Sequence, residues 1–98
     1  MPRYKRYGYI VVQDYSFEGG PEHTDIIGFH PNPDRANAFI DNRISVATKA
    51  KEITEIPVSE ASGIPGEIIR QVFIKYPRGS TSTLSVERWW FEVGRNNE

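Results

Sequence analysis

The chain has two histidines, His23 and His30, and both lie in or near a stretch rich in carboxylates that holds Glu18, Glu22 and Asp25. Imidazole nitrogen with carboxylate oxygen is a ligand set for a divalent transition metal, so these residues are the metal-site candidates. Their spacing matches no metal signature such as HExxH, and a solvated acidic turn containing a histidine accounts for the same residues. Cysteine is absent, which removes thiolate nucleophiles, disulfides and cysteine–zinc sites together. A serine or threonine nucleophile would need a histidine base and an orienting acid, and nothing in the residue order brings one to His23 or His30. With 13 acidic residues in the chain, pairs of carboxylates arise by number alone and single out no acid–base couple. Neither GxxxxGK[ST] nor GxGxxG occurs to cradle a phosphate. The expectation is a protein without catalysis, metal or cofactor.

Residues suited to contact are more prominent. Near the carboxyl end the chain reads SVERWWFEVG, a strand-like run in which Trp89 and Trp90 must point to opposite faces of a sheet. The apolar pattern changes phase at Glu87-Arg88. A β-bulge there would put Leu84, Val86, Trp89, Phe91 and Val93 on one face and Trp90 on the other with Glu92. The alternative is a regular strand buried on both faces, with Arg88 at an edge. In the first strand, Ile10 and Val12 share one parity, while Tyr7, Tyr9, Val11, Tyr15 and Phe17 share the other. If Ile10 and Val12 meet a helix, the tyrosines face away from it. Tyrosine and tryptophan combine apolar area with a polar atom and recur at contact surfaces. Tyr7, Tyr9, Tyr15, Arg88 and Trp90 are therefore the candidate docking residues. The same rings could instead be covered by the amino-terminal arm, a loop or a second helix.

The net charge of −1 argues against a dedicated duplex-DNA binder, whose footprint is strongly basic. Charge is nevertheless uneven. Arg3, Lys5 and Arg6 open the chain with no acid among them, whereas Asp14, Glu18, Glu22 and Asp25 follow with no lysine or arginine between. Within this basic start, Arg6-Tyr-Gly-Tyr-Ile10 partly resembles the RNP1 element of RNA-recognition motifs. It departs from that element by lacking the glycine before the first aromatic, by having Val12 where an aromatic is expected, and by lying in the first strand. The resemblance implies tyrosines that stack single-stranded bases while Arg3, Lys5 and Arg6 hold phosphates.

These residues need elements to position them. Tyr7 to Phe17 reads as a strand, Glu18 to Glu22 as a turn, and Thr24 to His30 as a returning strand, together a β-hairpin. Asn32-Pro33-Asp34 is a helix start, with a cap, a first-turn proline and a first-turn acid. Ala36, Phe39, Ile40, Ile44 and Ala47 then repeat at helical spacing. Lys51 to Val58 is a short or edge strand because of its proline. In Glu67 to Tyr76, apolar residues recur at four-residue steps, which favours a second helix that Ser62 and Pro65 could start. Its β-branched content offers a strand as the alternative. Thr83 to Val93 closes the order.

The result is a single α+β domain over 1–98, in ββαβαβ order, with a mostly antiparallel sheet and one or two helices on one face. Residues 1–6 form a basic arm and 95–98 a polar tail, both expected to be flexible. The apolar run Tyr9 to Val12 is too short for a secretory or bilayer-spanning segment, so a cytoplasmic location is expected. The function expected from these features is a small regulator or inhibitor that docks on another protein or on a second copy of itself. Small inhibitors encoded by phages and mobile elements have this general character. Binding of single-stranded nucleic acid or of a nucleotide on the same surface is the alternative.

Overall fold

The computed structural model describes the backbone of residues 4–58 and 67–93, and the side chains of residues 7–58 and 67–89. Five strands form one antiparallel sheet: β1 (Tyr4–Ser16), β2 (Glu22–His30), β3 (Glu52–Ile56), β4 (Glu67–Lys75) and β5 (Thr81–Val93), in spatial order β2-β1-β5-β4-β3. One helix, α1 (Pro33–Val46), packs on it. The α+β class holds. The element order among the described residues is ββαβββ, because 67–75 is a strand and no second helix stands there. Ser62 and Pro65, the expected start of that helix, lie outside the described residues.

The helix forms where the capping signals place it. Asn32 is extended, and its side-chain oxygen accepts from the Arg35 backbone N–H at 2.9 Å, satisfying one of the free amides of the first turn. Pro33 and Asp34 occupy the first turn and Arg43 the last, each suited to its end of the dipole. Ala36 and Ile40 are fully buried. The side of the sheet beneath them is termed the inner face.

The inner face is built from Tyr9 and Val11 of β1, Val72 and Ile74 of β4, and Leu84 and Val86 of β5. This reverses the expected parity of the first strand: Tyr9 and Val11 meet the helix, whereas Ile10 and Val12 belong to the outer face. Both sets are apolar, so alternation alone could not say which side the helix covers. In β5 the expected bulge is absent, since its pairing with β1 runs without a shift from Tyr4↔Val93 to Ser16↔Thr81. The bulges lie instead in the flanking strands, at Ile27 of β2 and Ile69 of β4. Each turns an extra isoleucine toward the core. Arg88 therefore stands in a central strand and not at an edge.

Arg70 of β4 ties the layers together. Its Nε and Nη2 donate to the two carboxylate oxygens of Glu55 in β3, at 2.9 and 3.2 Å, while Nη1 lies 2.9 Å from Asp41 of the helix. No helix among the described residues is long and apolar enough to cross a membrane.

Candidate functional site

The residues singled out by the sequence are not brought to one place. Tyr7 is 46% exposed, and the Arg88 guanidinium lies 5.0 Å from the centre of its ring, a cation–π contact. Arg88 also pairs with Glu67 at the start of β4. Trp90 stands opposite Tyr7 in the register, and its side chain lies outside the described residues. Tyr9 is in the core, under the helix, so it is removed from the docking set. Tyr15 lies on the inner-face side toward the other end of β1, stacked on His23 at 5.3 Å and edge-on to Phe17 at 5.6 Å. Eight residues of strand separate it from Tyr7, about 26 Å. The side chains of Arg3, Lys5 and Arg6 fall outside the described residues, although β1 begins at Tyr4, so Lys5 and Arg6 are strand and not loose arm.

Tyr9 and Tyr7 cannot both stack bases while the helix covers one of them, which takes away half of the aromatic pair that the RNP1-like segment implied. The metal candidates separate as well. His23 and His30 sit at opposite ends of β2, about 23 Å apart along the strand. Among the described residues no three histidine, aspartate or glutamate side chains gather as a metal site. His30 packs against Phe39 at 5.2 Å with its Nε2 buried.

A different surface is exposed. On the outer face, Ile26 and Phe29 of β2 are 70% and 66% exposed, and Trp89 of β5 is 37% exposed. No described helix lies on this side. Gly8 is the common neighbour of two of them: Trp89 pairs with it across β1 and β5, and the Phe29 ring fills the space a side chain would take, since a Cβ on Gly8 would lie 2.9 Å from Cζ of Phe29. Ile26 stands further along β2, opposite Val12. A glycine in a strand that admits a neighbouring ring is a known packing device. Ile10 and Val12, between these residues, complete an apolar floor. Trp89 was expected in the core; it is more than a third exposed because the helix covers the other side of its strand.

Next to this patch the outer face turns polar. Glu87 is fully buried and accepts a hydrogen bond from Trp89 Nε1 at 3.1 Å. Gln71 donates to Ser85 Oγ at 2.9 Å, and Thr24 donates to Asp14. Burial pushes the Glu87 carboxyl above its ordinary range, the Trp89 hydrogen bond draws it back, and the charge of Asp14 adds to the upward push.

No protein-family model matches the chain, and no curated protein or solved structure shows significant similarity to it. The functional reading therefore rests on the molecule's own surfaces. Sequence reasoning missed Ile26 and Phe29. A signal for Phe29 existed: Gly8 within an otherwise aromatic and β-branched strand marks a close approach by a neighbour.

Proposed function

We propose that this chain is a small non-enzymatic protein-binding module, a regulator or inhibitor, that docks onto another protein through the outer face of its sheet. The observation that carries the reading is the exposure on one face of Phe29 and Trp89, which meet at Gly8, and of Ile26 further along β2. Large apolar side chains gathered on one face cost free energy in water and gain it against a partner, at about 25 cal/mol per Å² removed. Aromatic anchors at the centre of an interface supply most of its energy.

The test is affinity capture from the native host with mass spectrometry, run for the wild type and for Ile26→Ser/Phe29→Ser. Both side chains are largely exposed, so the variant should melt close to the wild type. It should lose the captured partner. Retention of that partner would move the site elsewhere. A wild-type chain that captures nothing would end the reading, and a solution mass of two copies would make the partner a second copy. A captured nucleic acid with steeply salt-dependent binding would favour the alternative partner.

A further inference from the structure

The helix does not cover the whole inner face. Past its last turn, toward the β1–β2 hairpin, the sheet is open and forms a cleft of about 380 Å³. This lies within the usual size of small-ligand sites, roughly 300–1,000 Å³. Its floor is polar. Gln13 Nε2 donates to Ser82 Oγ at 3.0 Å, and Ser82 is buried. An amide with one donor committed in this way keeps a second N–H and a carbonyl for a ligand. The walls are aromatic: Tyr15, Phe17 and Tyr76. Tyr15 is held by His23 and by Phe17, and the Tyr76 backbone is pinned by its N–H donating to the Ser80 carbonyl at 2.8 Å. Asp25 stands exposed at the rim. A smaller hollow of about 120 Å³ shares Gln13, Tyr76 and Ser82 and continues under the end of the helix at Ala47.

This combination selects a ligand class. None of the residues lining the larger cleft is lysine or arginine, and Arg43 lines only the smaller hollow, so a phosphate or carboxylate seated in the larger cleft meets no counter-charge in its lining. Aromatic rings offer flat apolar area, while the amide, the carboxylate and the serine and threonine hydroxyls offer donors and acceptors at close spacing. A molecule with an apolar C–H face and a hydroxylated edge satisfies both. We propose that the cleft binds a sugar ring of a neutral glycan, with the ring face against Tyr15 or Tyr76 and its hydroxyls on Gln13, Ser82 and Asp25. This site is separate from the docking patch.

The probes are methyl α-D-glucopyranoside, methyl β-D-galactopyranoside, methyl α-D-mannopyranoside and N-acetylglucosamine, with glycerol as control, titrated into isotopically labelled protein and followed by amide resonances. At least one glycoside should shift the amides of Gln13, Asp25, Tyr76 and Ser82 with a Kd in the millimolar range. Gln13→Ala should weaken that binding about tenfold, the effect of losing one or two hydrogen bonds. Asp25→Asn, at an exposed position that leaves folding intact, should weaken it severalfold. Ile26→Ser/Phe29→Ser should leave it unchanged, so this idea and the docking surface can fail independently. The proposal is overturned if no glycoside moves these amides, if glycerol moves them equally, or if both cleft variants bind as the wild type does.

Discussion

At the residue scale the most consequential group is Glu87. Its neighbours across the sheet are Ile10 and Ile68, and among the described residues its hydrogen-bond donor is the Trp89 indole. A carboxylate buried among isoleucines with one neutral donor is under-solvated, which is why its pKa is raised. The folded state thus holds the Glu87 proton more tightly than the unfolded chain does. The stabilising contribution is complete below the ordinary carboxylate range and is lost as pH rises through the raised value. Glu87→Gln keeps an acceptor for Trp89 and removes the charge. Thermal midpoints of wild type and variant should therefore differ little near about pH 4 and diverge in favour of the variant toward neutrality. Trp89→Phe removes the donor but keeps a ring, so the carboxyl should rise further and the wild-type pH dependence should steepen. A gap between Glu87→Gln and wild type that stays constant from acid to neutral pH would show that the carboxyl is not shifted.

At the element scale, α1 was readable because capping is local. Asn32, Pro33 and Asp34 act through amides within one turn, and the apolar spacing behind them suits only a helix. The fourth strand was not readable, because a four-residue step is close to one helical turn and is also twice the strand repeat. Val72 and Tyr76 fall on one side under either reading. What decides for a strand is the β-branched content, Ile68, Ile69, Val72 and Ile74, together with pairing to β5 and β3, which is a tertiary fact. The phase change in β5 was real but its cause was not a bulge. The helix covers only part of that strand, so Leu84 and Val86 are apolar toward it, whereas Trp89 is apolar on the far side. The docking residues suffered from the same ambiguity: with Tyr9 and Ile10 both apolar, only the helix position tells core from surface. Where helix and sheet meet, Arg70 gives a measurable test. Its two-pronged contact with Glu55 and its contact with Asp41 need a planar guanidinium, which lysine lacks. Both acids are largely exposed, so screening limits the effect. Arg70→Lys should cost about 1 kcal/mol in urea denaturation at low salt and less at high salt. A cost that does not change with salt would mean that packing of the arginine stem, not the ion pairs, is what joins the layers.

At the scale of the whole molecule, the chain is elongated, 56 × 26 × 23 Å, with a radius of gyration of 15.8 Å against about 13 Å for a compact domain of this length. The length comes from β1 and β5, each of 13 residues, which run past the ends of β2 and β4. Among the described residues, a single helix therefore supplies the second layer for a sheet longer than itself, and the shared core is small. Val11, Ile40, Val72 and Val86 are its fully buried aliphatic centre. Ile40 is the helix's main contribution to it. Ile40→Ala should cost about 2–5 kcal/mol, a large share of the roughly 5–15 kcal/mol that holds a domain together. Trp89→Ala, at a residue more than a third exposed, should cost less despite its larger side chain. Because the sheet's inner face has no other described cover, loss of helix packing should release both layers together. Helical and strand signals in circular dichroism should then fall in one transition, at a lower denaturant midpoint for Ile40→Ala than for Trp89→Ala. If the helical signal is lost first and the strand signal persists, the sheet is stable without α1. Its closed centre on the outer face, Val12, Gln71, Ser85 and Glu87, would then be holding the strands on its own.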